Sequence, residues 1–368
     1  MKTKLNILQI LPSLESGGVE RGTLEIAKFL VEQGHNSYVI SSGGRLVNKL
    51  KDDGSNHENM NIGKKSIFTL FIIPRLIKFI KKNKIHIVHV RSRLPAWIAY
   101  FAIFFILRNK PHFVTTVHGY NSPSLYSKVM TKGDIVIVVS NFIKNHIINT
   151  YKVDPNKVKL IYRGVPVTLQ KLNTSKFNIW KRKFEKEFTQ FKNNKVLTIS
   201  ARISKTKGID VFIDLINNLI NYDKNIHGLI VGEAKSKSYL KYLEKKINKL
   251  NLKNRISIIG YRSDIYNIIQ YSEMTFCLSS LPEPFGRGVI ESIKIGTPVI
   301  GFHSGGSGEQ LKKIFPIGLV KENDFNKLLQ KTKNFLENRP IVKDTTIFTL
   351  EEMQKKTMKI YEDLNRKN

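Results

Sequence analysis

Along this chain, short apolar runs of strand length alternate with amphipathic stretches of helix length. Residues 5–11 form the first run. A loop over 12–18, closing on Gly17 and Gly18, leads into a helix-period stretch over 19–33 that Gly34 stops. A second run follows at 38–42, so the chain opens with strand, glycine turn, helix and strand, a βαβ unit of a parallel sheet. Runs at 85–90, 113–117, 134–139 and 158–162 continue the alternation. Each ends in polar residues: Arg91-Ser92-Arg93, His118-Gly119, Ser140-Asn141 and Arg163-Gly164. In an open parallel sheet the ligand crevice lies beyond the carboxyl ends of the strands, where these side chains fall.

Between 168 and 195 the pattern gives way to polar, charged sequence without a strand period, and then a second series begins. Strands are predicted at 196–201, 228–231, 256–259 and 274–278, with a long charged helix over 239–249. Two such series in 368 residues predict an α/β protein of two doubly wound, Rossmann-like domains facing across a cleft. The expected boundaries are 1–168 and 169–348, with a final helix over 349–366 packing back on the first domain.

Two segments stand out. The run at 94–107, LPAWIAYFAIFFIL, falls short of the ~20 residues that span a bilayer and is predicted to be a buried helix. Residues 64–84 carry seven basic residues and no acidic one, and Pro74 should kink or divide any helix there. Phe71, Leu76, Ile77, Phe79 and Ile80 give that segment an apolar side, with Arg75, Lys78, Lys81 and Lys82 around it. It reads either as a helix lying on an anionic membrane or as a packed helix with a solvated basic face.

The net charge of +32, from 61 basic and 29 acidic residues, extends the membrane question to the whole chain. Nucleic acid, an anionic membrane surface and an anionic substrate all fit such a charge. A general enrichment in Lys, Asn and Ile accounts for part of it, and no RNA- or DNA-binding signature supports nucleic acid. A single cysteine, Cys277, excludes an intramolecular disulfide framework and fits a reducing compartment. The first apolar run is interrupted by Asn6 and Gln9 and leads into a glycine turn, so it reads as a strand rather than a signal peptide, and the protein as cytoplasmic.

The chemistry concentrates in 281–311, LPEPFGRGVIESIKIGTPVIGFHSGGSGEQL. Pro284, Gly286 and Gly288 hold its start out of helix. A helix is therefore predicted to begin near 285–287, between Glu283 and Glu291. Free N–H groups at a helix start hold phosphate, and a carboxylate on either side accepts hydrogen bonds from sugar hydroxyls. A nucleotide sugar, with hexose, diphosphate and ribose in line, has this layout.

With GGVER at 17–21, VHG at 117–119, VS at 139–140, RGV at 163–165, ARISKTKG at 201–208, VGE at 231–233 and EPFGRGVIE at 283–291, the chain resembles a family 4 glycosyltransferase of the GT-B fold. The segment HVRSRLPAW at 89–97 is similar to members that build lipopolysaccharide core or related envelope glycans. The resemblance implies a retaining transfer of a sugar from a nucleotide diphosphate donor to a glycan or glycolipid acceptor. It assigns Arg202 and Lys207 to the diphosphate, whose charge grows as the glycosidic bond breaks. It gives Glu291 the ribose, and Glu283 with the backbone of Phe285 and Gly286 the donor sugar. Gly17 and Gly18 are assigned to the phosphates, His118 to the donor-sugar or acceptor side, Arg91 and Arg93 to the acceptor, and the region of Tyr261 and Arg262 to the base. There is no Asp-x-Asp sequence, so no metal is expected, and no general base is named. Pro166 and Arg287 depart from the family pattern, where an acidic and an apolar residue are common. The competing readings are a nucleotide-sugar epimerase or hydrolase on the same fold, and a basic membrane- or nucleic-acid-binding module with a vestigial cleft.

Overall fold

A computed structural model of the chain describes residues 4–366 apart from 16, 65, 107, 170 and 235, and apart from the side chains of 67 and 68. Lys65 of the basic segment and Leu107 at the end of the apolar run therefore lie outside the described residues.

The chain divides into two compact units, one of Met1–Gly164 with Thr349–Asn368 and the other of Val165–Phe348. The first contains β1 (Asn6–Ile10), α1 (Gly18–Glu32), β2 (Asn36–Ser41), α2 (Val47–Asp52), β3 (Asn56–Asn59), α3 (Ile72–Lys82) and β4 (Ile87–Val90). It continues with α4 (Arg93–Phe104), β5 (His112–Val117), α5 (Leu125–Lys128), β6 (Ile135–Val138), α6 (Asn141–Tyr151) and β7 (Val158–Leu160). All strand pairs are parallel, in the order β3-β2-β1-β4-β5-β6-β7. Ile87, Val88, His89 and Val90 of β4 are all buried, as expected of a strand covered by helices on both faces.

The second unit runs α7 (Thr174–Glu187), β8 (Lys195–Ser200), α8 (Ile209–Leu219), β9 (Ile226–Val231), α9 (Lys237–Lys249), β10 (Ile256–Ile258) and α10 (Ile265–Tyr271). It then adds β11 (Met274–Cys277), α11 (Arg287–Ile295), β12 (Val299–Phe302), α12 (Gly305–Ile314), β13 (Leu319–Val320) and α13 (Phe325–Glu337). Its sheet is also parallel, in the order β10-β9-β8-β11-β12-β13. Both sheets reverse their winding beside their first strand, at β1/β4 and at β8/β11. These are the topological switch points where such sheets bind ligands.

The last helix, α14 (Leu350–Asn365), belongs to the first unit. Thr349 caps it, its hydroxyl accepting from the Glu352 N–H at 3.2 Å. Met353, Met358, Tyr361 and Leu364 enter the core with Leu5, Ile7, Ile26 and Ile87. The fully buried Tyr361 hydroxyl meets His89 Nδ1 at 2.5 Å, and His89 Nε2 meets Thr116 Oγ1 at 2.6 Å. Gly164 lies so close to the backbone of Thr349 that a β-carbon there would stand 2.2 Å from it.

Two sequence expectations are corrected. Pro74 neither kinks nor divides α3: it sits in the first turn, where its missing N–H costs no intrahelical bond, and a 3-10 turn over Ile67–Phe71 precedes it. The apolar side of α3 is spent on packing, with Leu76 and Ile80 buried and Phe79 edge-on to Tyr38 at 5.8 Å. Arg75, Lys78, Lys81 and Lys82 form its exposed face. α4 is buried on one side only. Ala96, Ile98, Ala99 and Ala102 face the core, whereas Phe104 and the following Phe105 are 62% and 59% exposed. Among the described residues no helix is long and apolar enough to cross a membrane.

Candidate active site

At the β8/β11 switch point the chain leaves β8 through Ala201 and Arg202 and enters a 3-10 turn over Lys205–Lys207. Gly208 starts α8 with φ +67°, and a β-carbon on it would meet the Leu278 carbonyl at 1.9 Å, so the turn lies directly on the segment that follows β11. The Ser280 N–H donates to the Thr206 carbonyl at 3.1 Å. This approach brings Lys207 Nζ to 2.6 Å from Glu283 Oε1, and Ser279 Oγ also donates to that oxygen. Both partners are largely covered, at 28% and 16% side-chain exposure, so their attraction is screened less than that of a surface pair. Burial and then the Glu283 carboxylate raise the pKa of the neighbouring Cys277 thiol, which stays protonated.

The loop carrying Glu283 is fixed from below by α12. Glu283 bridges to Gly305, the Gly306 N–H donates to the Glu283 carbonyl at 2.6 Å, and Gln310 Nε2 donates to the carbonyls of Phe285 and Gly286. Side chains at Gly305 or Gly306 would run into this loop's backbone. Phe285 is buried and packs edge-on to Phe348 at 5.7 Å. Gly286, at φ +77°, turns the chain into α11, which therefore begins between the two glutamates with its first N–H groups unused by the helix. Glu291 is 8% exposed. Its Oε1 accepts from Arg287 Nε at 3.2 Å and from the Tyr266 hydroxyl at 3.4 Å.

At the β1/β4 switch point of the first unit, Gly17 and Gly18 start α1. Arg163 reaches this turn, its Nη2 donating to the Gly18 carbonyl at 3.1 Å and pairing with Glu25 at 3.3 Å. Arg91, beyond β4, is buried and donates through Nε and Nη2 to Gln9 Oε1 at 3.2 and 2.6 Å. Its Nη1 contacts His118 Nε2 at 3.4 Å. Burial, then the guanidiniums of Arg163 and Arg91, hold His118 well below the ordinary histidine pKa. His118 is thus neutral at pH 7. Because arginine can only donate, its Nε2 is the acceptor and its Nδ1 carries the proton.

The structure thus brings Lys207 to Glu283, sets Glu283 and Glu291 on either side of the start of α11, and joins Arg91 to His118. Arg202 is exposed and makes no hydrogen bond or ion pair with the described residues. Arg93 turns toward α5, donating to Ser127 Oγ at 3.1 Å and lying over the Tyr126 ring. Tyr261 is 48% exposed. The Arg262 side chain is held by Asp264 and Glu187 at 2.7–2.9 Å and stacks on Phe184 and Phe188, leaving the backbone of that loop as its offering. Sequence reading missed Gln9 and Gln310. The signal for Gln9 is one amide inside the otherwise apolar end of β1. Among the described residues no group of three or more His, Cys, Asp or Glu side chains is placed to hold a metal ion.

Comparison with known proteins adds relatives along the whole chain. Residues 16–169 match the family model described as Glycosyltransferase Family 4, and 181–350 match that described as Glycosyl transferases group 1. A crystal structure of a glycosyltransferase from Rickettsia africae superposes with a TM-score of 0.86 at 31% identity, covering 99% of this chain and 100% of that one. The UDP-Gal:alpha-D-GlcNAc-diphosphoundecaprenol alpha-1,3-galactosyltransferase of Escherichia coli is 27% identical, covering 89% of this chain and 86% of its own. The structure of Anabaena Alr3699/HepE in complex with UDP and glucose shares the fold at a TM-score of 0.84 and 19% identity, over 98% of this chain and 100% of that one.

Proposed function

The chain belongs to family 4 of the glycosyltransferases with the GT-B fold, enzymes that take nucleotide-sugar donors, and from that premise we propose a specific transfer. It moves a hexose, with retention of configuration, from a nucleoside diphosphate sugar to a glycan or glycolipid acceptor of the cell envelope. The observation that carries this reading is the β8/β11 switch point, where Lys207 and Glu283 lie 2.6 Å apart beside the start of α11 and Glu291 lies one turn into that helix.

In this reading the diphosphate sits at the N-terminus of α11, held by Lys207 and Arg202. Lys207 shares its ammonium between Glu283 and the phosphate oxygens. It thereby meets the charge that grows on the leaving group, with no metal required. Glu291, its carboxylate plane set by Arg287 and Tyr266, takes the ribose hydroxyls. Glu283 and the backbone of Phe285 and Gly286 face the donor hexose, and the loop of Tyr261 and Arg262 faces the base. In the first unit Arg91 and Arg93 are assigned to the acceptor, the neutral His118 to the donor-sugar or acceptor side, and the Gly17-Gly18 turn to the phosphates. The Escherichia coli relative is named for UDP-Gal and the Anabaena structure is a complex with UDP, which supports uridine as the base. The basic charge supports work at the anionic inner face of the cytoplasmic membrane, where lipid-linked acceptors are presented.

The test is thermal stability with UDP, GDP, ADP and CDP, for the wild type and Glu291→Ala. Ligand at 100 times its Kd adds about 2.7 kcal/mol. UDP should raise the midpoint of the wild type and leave the variant unmoved. A wild type that responds to none of the four would overturn the donor assignment.

A further inference from the structure

The outer side of α4 carries Trp97, Phe101, Phe104 and Phe105, spaced so that they share one face of the helix and its end. Phe101 stacks on Trp97 at 5.5 Å, and the rings of Phe104 and Phe105 lie 5.5 Å apart. Trp97 Nε1 donates to the Tyr126 carbonyl at 3.0 Å, joining the strip to α5, where Leu125 is 82% exposed. The result is an aromatic strip ending in large apolar side chains that the described residues leave exposed.

The sequence around it has one sign of charge. From Asn59 to Gly133 the chain has thirteen Lys and Arg and no Asp or Glu, where an even spread of the 29 acidic residues would put about six. General enrichment in lysine does not remove acidic residues from one stretch. α3, which packs on α4, adds the exposed Lys78, Lys81 and Lys82, and Arg108, Lys110 and Lys128 flank the strip in sequence. Trp, Tyr and Phe prefer the depth of lipid headgroups, and cations beside them prefer anionic lipid.

We infer that this strip, formed by Trp97, Phe101, Phe104, Phe105, Leu125 and Tyr126, is the surface by which the protein inserts into an anionic lipid bilayer. It gives residues to the membrane-surface reading proposed above and rests on it. The aromatic side chains enter the headgroup layer while the lysines of α3 supply attraction from the phosphates. A second copy of this chain would bring the exposed Lys78, Lys81 and Lys82 of α3 against their own like charges, so lipid is the occupant the charge favours.

The chain has two tryptophans, Trp97 on the strip and Trp180 in the other unit. Trp180→Phe therefore leaves Trp97 as a reporter of depth. The full-length protein is mixed with vesicles of phosphatidylcholine containing about one-third phosphatidylglycerol, with and without brominated acyl chains. Binding should shift Trp97 emission to the blue, and the brominated lipid should quench it. Phe104→Ser/Phe105→Ser/Leu125→Ser should lower vesicle affinity by about tenfold or more. The variant should keep the wild-type melting midpoint and its turnover of a water-soluble acceptor, since none of the three side chains serves the core or the site. If the wild type binds but Trp97 is not quenched and the variant binds equally well, adsorption is purely electrostatic and the inference falls. If sedimentation shows a wild-type dimer that the variant abolishes, a second copy covers the strip and the inference falls. If the wild type binds neither these vesicles nor wholly phosphatidylglycerol ones, the membrane reading itself fails.

Discussion

Gly22 lies inside α1, where replacement by alanine would ordinarily stabilise a helix by about 1 kcal/mol. Here the sign should reverse. An ideal β-carbon at Gly22 falls 1.6 Å from Arg163 Nη2 and 2.2 Å from Cζ, inside the guanidinium. That guanidinium is 7% exposed and holds both the Gly18 carbonyl and Glu25. To admit the methyl group it must shift, giving up its bonds to the Gly18 carbonyl and to Glu25, which is only 17% exposed. Splitting a buried ion pair costs about 3–5 kcal/mol. Against this stand the helix gain and the partial hydration of Glu25, so Gly22→Ala should destabilise the first unit by about 2–4 kcal/mol. In a Trp180→Phe background, Trp97 fluorescence reports urea unfolding of that unit alone. With a slope of about 2 kcal/mol per molar urea, the midpoint should fall by about 1–2 M. Gly18→Ala, which meets nothing within 4 Å, is the control and should stay near the parent. A Gly22→Ala midpoint equal to or above the parent would refute the reasoning and mean that Arg163 does not hold the turn.

Two further outcomes can be checked directly. Lys207→Ala should lower kcat by a factor corresponding to about 2–4 kcal/mol, the loss seen on removing one donor to developing negative charge; an unchanged kcat would take Lys207 out of the chemistry. His89 and His118 of the first unit both have folded pKa values well below 6.5, chiefly through burial. Below pH 6.5 the unfolded chain therefore binds more protons than the folded one. Stability should be full above pH 6.5 and should fall beneath it by up to about 1.4 kcal/mol per pH unit for each histidine. Equal urea midpoints at pH 7.5 and 5.5, read from Trp97, would contradict this.

Features set by local chemistry were legible in the sequence. Pro284, Gly286 and Gly288 forbid early helix, so the start of α11 between Glu283 and Glu291 could be placed from nearby residues alone. The parallel strands announced themselves as continuous apolar runs. The contacts that build the site were not legible in the same way. Lys207 and Glu283 are 76 positions apart, and Arg91 and Gln9 are 82 apart, so their meeting depends on which strands become neighbours in the sheet. α4 was misread for another reason. A helix's outer side is normally marked by polar residues, and the 94–107 run has none, so its exposed aromatic face looked like core. For Pro74, the period of the pattern did not fix where the helix began, and two residues' difference decides whether a proline breaks a helix or starts one.

The place of α14 bears on how the protein comes to be folded as it is made. The core around Leu5, Ile7 and Ile87 is completed by Met353, Met358 and Tyr361, residues translated after the whole of the second unit. During synthesis the second unit can close as soon as it has left the ribosome, while the first must wait, with part of one face of its sheet uncovered, for the last helix to arrive. A chain ending at Phe348 would therefore carry a finished second unit and an open first one, and chaperones would meet it at the part of the sheet that α14 later seals.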